Sequence, residues 1–319
     1  MKPSVFLTRI LPDQVMAELK RRFDLKYNAL DRPLTQPEMI RGMRGRQAVI
    51  SMLSDRVDAE VIGSNPALRV IANYAVGYNN IDLKTASSRG IAVTNTPGVL
   101  TEATADLTWS LILSLARRVP EGDRLVRTGR WTGWNPTQLL GMDLTGRTLG
   151  IIGMGRIGQA VARRAFGFGM RLIYHNRHRL PDRLEKKYRA SYQPLSRLLT
   201  AADIVSLHVP LTHETRHLIH RGVLDRMKSA ALLVNTARGP IVDEKALVIA
   251  LKKGTIAGAG LDVFEEEPKV HPGLLRLPNV VLLPHLGSAT VETRTKMGFI
   301  VIENIQAVLG GTRAPNAVG

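Results

Sequence analysis

Cysteine is absent from the 319-residue chain, which excludes disulfides, thiolate metal sites and cysteine nucleophiles and suits a reducing compartment. Aromatic residues make up only 5% of it, too sparse to interleave with cations as base-stacking platforms do. Long apolar runs are missing as well: no stretch approaches the ~20 residues of a membrane span. Met1-Lys2-Pro3-Ser4 leads straight into a strand-like segment, with no apolar signal-peptide core. A soluble, cytoplasmic protein is therefore expected, with no membrane partner. Acidic residues are also scarce, 27 against 44 Lys and Arg, for a net charge of +17. The basic residues are scattered, most densely over 177–189, so attraction of small anions is a better use of the charge than nucleic-acid binding. A merely solvated surface is the plainer alternative.

What the chain does have is a glycine loop, Gly153-Met154-Gly155-Arg156-Ile157-Gly158, between an apolar run at 148–152 and an Ala-rich helical pattern at 159–166. In that setting the glycines permit a tight turn, close approach of backbone to a pyrophosphate, and close helix–strand packing. The helix behind the loop offers free N–H groups and partial positive charge to phosphates. About 150 residues precede the loop, so a second fold of some size lies ahead of it.

Strand and helix patterns alternate on both sides of the loop. Before it, 5–10, 48–53, 70–73 and 91–95 read as short strands and 12–22 and 81–89 as amphipathic helices. A long apolar helix is expected over 101–117, broken at Arg118-Val119-Pro120. After the loop, 171–175, 204–208, 231–235, 257–261 and 280–283 read as strands, and 290–309 as a last helix. Such alternation predicts an α/β fold of two parallel units with right-handed crossovers.

The strand after the loop ends in His175-Asn176-Arg177-His178-Arg179. NAD-binding units carry an Asp or Glu about 20 residues beyond the glycines, bonded to the ribose hydroxyls. Here no carboxylate stands to repel a 2′-phosphate and two guanidiniums could grip it, so the expected cofactor is NADP(H). Exposed arginines that touch nothing are the alternative.

Hydride transfer to a carbonyl also needs a proton donor and a cation for an anionic substrate. In the last third of the chain Arg238 and His285 follow apolar runs and Glu267 lies in an acidic loop, Glu265-Glu266-Glu267-Pro268; ligands of open α/β sheets gather at the carboxyl ends of strands, where all three could converge. Singly, each could be a solvated or capping residue.

Taken together the motifs carry a resemblance. Val76-Gly77-Tyr78-Asn79-Asn80-Ile81-Asp82, the glycine loop, Asn235-Thr236-Ala237-Arg238-Gly239, Gly260-Leu261-Asp262-Val263-Phe264, Glu267-Pro268 and Pro284-His285-Leu286-Gly287-Ser288-Ala289-Thr290 occur in that order. Over nearly its whole length the chain resembles the D-isomer-specific 2-hydroxyacid dehydrogenases. The resemblance implies two Rossmann-like domains of parallel sheet flanked by helices. An NADP(H)-binding domain at 101–286 would be inserted into a flavodoxin-like substrate domain at 1–100 and 287–319. Arg238 would bind the substrate carboxylate with help from backbone N–H groups around Val76 and Gly77. His285 would be the general acid in reduction, with Glu267 on its other nitrogen favouring the imidazolium.

The resemblance also implies a cofactor shell. Gly153, Gly155, Arg156, Ile157 and Gly158 would face the pyrophosphate, and Asn176, Arg177 and Arg179 the adenosine end. Pro210 and Thr215 would lie in the loop after a nucleotide-domain strand. Thr104, Thr236, Ala237, Arg238, Asp262, His285 and Gly287 would surround the nicotinamide, Asp262 against its amide. Helix caps and turns are the commoner duty of Thr and Asp at such places.

Within the family the likeness is greatest to glyoxylate/hydroxypyruvate reductases, through Met52-Leu53-Ser54-Asp55, Trp131-Thr132-Gly133-Trp134 and the Asn176-Arg177 turn. It implies a small 2-oxo or 2-hydroxy acid as substrate, with Leu53 near it. It also implies a homodimer in which Trp134 reaches the partner's active site, although ordinary packing would equally occupy the tryptophans. A sugar-acid reductase of the 2-ketogluconate type is the runner-up, and a dinucleotide-sensing corepressor is the non-enzymatic alternative. The spacing of His213, His217 and His220 could suit zinc, but they fall in the family's loop after a strand, and no metal is expected.

Overall fold

The computed structural model describes residues 2–318, and the chain divides into two compact units. One comprises the chain up to Leu100 and again from Ala289; the other is Thr101–Ser288.

The first unit opens with β1 (Ser4–Leu7), α1 (Asp13–Arg22), β2 (Asp24–Tyr27), α2 (Gln36–Met43), β3 (Ala48–Ser51), α3 (Ala59–Gly63), β4 (Val70–Asn73), α4 (Leu83–Ser88) and β5 (Ala92–Thr94). The second is built from α5 (Thr101–Ala116), α6 (Val119–Arg127), β6 (Thr148–Ile152), α7 (Arg156–Ala165), β7 (Arg171–His175), α8 (Asp182–Tyr188), β8 (Ala190–Tyr192), α9 (Leu195–Ala201), β9 (Ile204–Leu207), α10 (Arg221–Leu224), β10 (Leu232–Asn235), α11 (Glu244–Lys253), β11 (Gly258–Leu261) and β12 (Val280–Leu282). Then α12 (Val291–Leu309) and β13 (Ala317–Val318) return to the first.

Among the described residues the first sheet runs β13-β5-β4-β3-β1-β2, parallel except where β13 pairs antiparallel with β5. Its parallel part has the strand order of the flavodoxin-like doubly wound fold. Every residue of β3 and β4 is buried, as expected of central strands covered on both faces. On one face Val15, Met16 and Leu19 of α1 pack with Met297, Val301, Ile302 and Ile305 of α12. A Cβ at Gly298 would stand 2.4 Å from Val15 Cγ1, so the two helices meet where one lacks a side chain.

The second sheet, also among the described residues, is β12-β11-β10-β9-β6-β7-β8, parallel throughout. Its order reverses at β6, next to β9, which is the Rossmann arrangement and its switch point. Helix α5 covers one face. Trp109 stacks on Phe168 with ring centroids 4.4 Å apart and donates Nε1–H to the Val161 carbonyl at 3.0 Å. After α5, Arg118 takes a left-handed conformation (φ 54°), and a new helix begins with proline in its first turn, a position that lacks an amide partner anyway.

The sequence patterns locate most of these elements but overrun several ends. The strand expected at 5–10 stops at Leu7, that at 48–53 at Ser51, and the helix expected at 101–117 at Ala116. β2 and β8 had no expectation.

Candidate active site

Strand β6, buried throughout, delivers the glycine loop to the carboxyl edge of the second sheet. Gly153 has φ 101°, and a Cβ there would lie 2.6 Å from the His208 carbonyl carbon. A Cβ on Gly158 would lie 2.2 Å from the Gly153 oxygen, which ties the first turn of α7 to the loop. At Gly155 a Cβ would meet nothing within 4 Å, so bare backbone faces open space there. No side chain caps α7. A tight turn, an uncovered backbone and an uncapped helix start together fit a pyrophosphate, with exposed Arg156 and half-buried Ile157 opening the helix.

At the end of β7, Asn176 is tied to the loop, its Oδ1 accepting the Met154 amide at 2.6 Å. Arg177 is exposed, and its charge, after the Thr212 hydroxyl and other contacts, helps hold the Glu214 carboxyl below its ordinary range. Arg179, expected beside it at the adenosine end, is paired with a carboxylate. Its fork holds Glu185 at 2.9 and 2.6 Å, because α8 starts just beyond and sets Glu185 within bidentate reach. Arg179 and the Tyr174 hydroxyl bring Glu185 down to about 2. In the loop after β9, the Thr215 hydroxyl donates to the Pro210 carbonyl at 2.7 Å and accepts the Thr212 amide at 2.8 Å, so it closes that turn.

Arg238 follows β10 in extended conformation. Burial pushes its guanidinium down from its ordinary value while the Glu267 charge opposes that shift. Asn235 fixes the turn before it, donating Nδ2–H to the Arg238 carbonyl at 2.9 Å and accepting the Ala237 amide at 3.0 Å. A Cβ on Gly239 would overlap the Phe264 carbonyl at 1.8 Å, so the loop bearing Glu267 lies directly on the backbone beyond Arg238.

His285, beyond β12, has φ 55°. Its amide donates to the Asp262 carbonyl at 2.9 Å, and its Nδ1 stands 2.9 Å from Glu267 Oε2. Burial pushes the Glu267 carboxyl up, but the His285 bond and charge, the Phe264 amide and the Arg238 charge outweigh it and hold the group below its ordinary value. With Nδ1 engaged, Nε2 is the ring atom left to exchange a proton with a bound molecule.

Asp262 accepts the Leu286 amide at 2.6 Å and the Gly287 amide at 2.9 Å, and burial nonetheless raises its carboxyl to about 6. Thr104 donates to the Gly287 carbonyl at 2.9 Å, and the Thr108 and Thr236 hydroxyls pair at 2.9 Å. Arg238, Glu267, His285, Asp262, Thr104 and Thr236 thus share the carboxyl edge of one sheet with the glycine loop.

In the first unit, Leu53 lines a pocket of about 420 Å³ with Ser54, Asp55, Asn79 and Asn80. Val76 and Gly77 lie in the loop after β4. Trp134 is 83% exposed and Trp131 52%. The three histidines weighed for zinc are spread out: His217 Nε2 meets Glu265 at 2.6 Å, and His220 accepts the Gly222 amide as the cap of α10. Among the described residues no group of three His, Cys, Asp or Glu could hold a metal ion, and no helix is long and apolar enough to cross a membrane.

Two groups near the site have no signal in the sequence. His208, just past β9, bonds the Ser206 hydroxyl at 2.9 Å and is driven by burial down to about 3, hence neutral. Glu244 accepts the Glu265 amide at 2.7 Å while Glu265 accepts the Glu244 amide at 3.4 Å, a reciprocal latch on the Glu267 loop. A carboxylate directly after a family motif and another at a helix start become a pair only in three dimensions.

A glycine loop at a Rossmann switch point, with a cation and a histidine–carboxylate pair along the same edge, defines a dinucleotide-binding α/β protein. The model of the family described as D-isomer specific 2-hydroxyacid dehydrogenase, NAD binding domain, matches residues 109–287. A glyoxylate reductase of Korarchaeum cryptofilum (strain OPF8) is 53% identical over 321 residues, covering 100% of this chain and 96% of that one. A crystal structure of a protein from Thermus thermophilus superposes with TM-score 0.92 at 48% identity, covering 99% and 100% of the two chains. The NADPH-dependent glyoxylate/hydroxypyruvate reductase of Sinorhizobium meliloti, solved with NADP and malonate, gives TM-score 0.88 at 36% identity, covering 100% and 97%. The chain belongs to the D-isomer specific 2-hydroxyacid dehydrogenase family.

Proposed function

We propose that the protein reduces a small 2-oxo acid, glyoxylate or hydroxypyruvate, to the 2-hydroxy acid with NADPH. The observation that carries this reading is the 2.9 Å pairing of His285 Nδ1 with Glu267 on the sheet edge that also bears Arg238 and the glycine loop. Arg238 holds the substrate carboxylate and polarises the carbonyl, supported by the backbone amides around Val76 and Gly77 in the substrate-binding unit. His285 gives the proton on Nε2 to the carbonyl oxygen, and Glu267 stabilises and orients the imidazolium before transfer. In the reverse direction His285 is the base.

The dinucleotide is held by Gly153, Gly155, Gly158 and the start of α7 at its pyrophosphate, with Thr104, Thr236, Ala237, Asp262 and Gly287 at the nicotinamide end. Bound there, the reduced nicotinamide supplies the hydride. Preference for NADPH is supported by the missing carboxylate after β7, by exposed Arg177 and by the NADP named with the Sinorhizobium relative. A homodimer is supported by the exposure of Trp131 and Trp134.

The test is a panel of glyoxylate, hydroxypyruvate, pyruvate and 2-ketogluconate, each with NADPH and with NADH. The first two with NADPH are expected to give the highest kcat/KM, and His285→Ala should lose about 10²–10⁴-fold in turnover while still binding cofactor. No turnover with any acid, or an undiminished His285→Ala, overturns the reading; a preference for 2-ketogluconate replaces the substrate and leaves the chemistry.

A further inference from the structure

We infer that Asn73 and Asn95 are positioning residues that aim the Gly77 and Tyr78 amides at the substrate carboxylate. The inference rests on the proposed reading of Gly77 as part of the substrate site. β4 and β5 are parallel neighbours in which Ala72 pairs with Thr94. Asn73 and Asn95 come next in register, side by side at the carboxyl ends of two buried strands, and both side chains are buried. Asn95 donates Nδ2–H to the Val76 carbonyl at 2.8 Å, and Asn73 donates Nδ2–H to the Gly77 carbonyl at 2.8 Å.

A peptide group is planar and trans, so its C=O and N–H point in opposite directions. Drawing the Val76 carbonyl toward Asn95 therefore turns the Gly77 amide away from the asparagines, and drawing the Gly77 carbonyl toward Asn73 does the same to the Tyr78 amide. Among the described residues neither amide has an acceptor, and both residues are at least partly open to solvent. Open to solvent, these amides bond water when nothing else is offered; two successive ones turned away from the asparagines can instead both meet one anion.

The asparagines are themselves oriented. Ser51 Oγ donates to Asn73 Oδ1 at 3.1 Å, which leaves the Asn73 amide to face Gly77. The Asn95 amide donates to the Asn316 carbonyl at 3.2 Å, and Asn304 of α12 donates to the Asn95 carbonyl at 3.3 Å. The returning C-terminal segment thus fixes the residue that fixes Val76. An aspartate at either position would have nearly the same shape with no donor, and its charge would repel the carbonyl it faces.

Asn73→Asp and Asn95→Asp, assayed with glyoxylate and NADPH, separate positioning from mere stability. Each is expected to raise KM for glyoxylate, and the Kd of oxalate on the enzyme–NADP⁺ complex, by about tenfold or more, the usual scale for a lost bond to a charged group. KM for NADPH should stay within twofold. In the wild type, oxalate should slow amide hydrogen exchange in the peptide spanning 74–80, a reading that holds even if a variant fails to fold. If the wild type turns over glyoxylate yet both variants keep its KM within twofold, or oxalate leaves exchange at 74–80 unchanged, the positioning role is wrong. A wild type that reduces no 2-oxo acid brings down the proposed function itself, and this inference with it.

Discussion

Arg177 and Arg179 are two residues apart in one turn, yet only Arg179 is bound by a carboxylate fork. The phosphate-reading duty therefore concentrates on Arg177, with Asn176 committed through Oδ1 to the glycine loop. Arg177→Ala should lower the ratio of kcat/KM for NADPH over NADH by about tenfold or more, the scale of a charge-assisted bond to phosphate, and Arg179→Ala should leave that ratio alone. An unchanged ratio in Arg177→Ala removes the residue from cofactor choice.

Asp262 makes a different prediction at the same scale. Burial lifts its carboxyl from 3.8 to about 6 even though two amides and the His285 charge favour the anion. A folded pKa above the unfolded one means that the folded chain binds the proton more tightly. The associated stability is complete below about pH 4 and is lost as pH rises through about 6, a span worth about 3 kcal/mol. The unfolding free energy of the wild type minus that of Asp262→Asn should therefore fall by about that amount from about pH 4 to about pH 7, as urea melts would measure. Taking the difference cancels the carboxylates that do not face Asp262; parallel curves would show that Asp262 is not shifted.

Among the elements, the existence of a buried strand was legible more often than its ends. β4 stands at the bounds its apolar pattern predicts, because a strand packed on both sides must be apolar and ends where polar turn residues begin; β7, only partly buried, also stands at its expected bounds. β2 is an edge strand, Asp-Leu-Lys-Tyr, paired only with β1 among the described residues and with no residue fully buried; its alternation is too short to stand out and no apolar run marks it. β8, at the edge of the second sheet, is only three residues long, too short to carry a pattern. The break at Arg118-Val119-Pro120 was legible, but not the helix that resumes at once, since proline in a first turn starts a helix as readily as it ends one. In the candidate site, Glu267 and His285 were read from motifs, and they meet across 18 positions. Asn73 and Asn95, 22 positions apart, become neighbours only through strand pairing. The pairing of Arg179 with Glu185 in α8 had no signal, because local pattern carries no distance information.

For the whole molecule, the telling surface is the stretch from α6 to residue 140. Val126 is 58% exposed, Trp131 52%, Trp134 83% and Leu140 66%, and no residue of α6 is buried. Four large apolar side chains open to solvent within fifteen positions form the kind of patch that in soluble proteins marks an interface. A homodimer would cover it, and its cost to a monomer offers a direct test. By sedimentation the wild type should run as a dimer. Trp134→Ser removes the most exposed of the four and should weaken association by about thirtyfold, the effect of losing a hot-spot tryptophan worth about 2 kcal/mol. If Trp134 also reaches the neighbouring subunit's substrate, KM for glyoxylate will rise in the variant at concentrations where it is still dimeric. An unchanged KM in that dimer restricts the tryptophan to assembly, whereas a wild type that sediments as a monomer at micromolar concentration leaves the patch to some other partner and the site to a single chain.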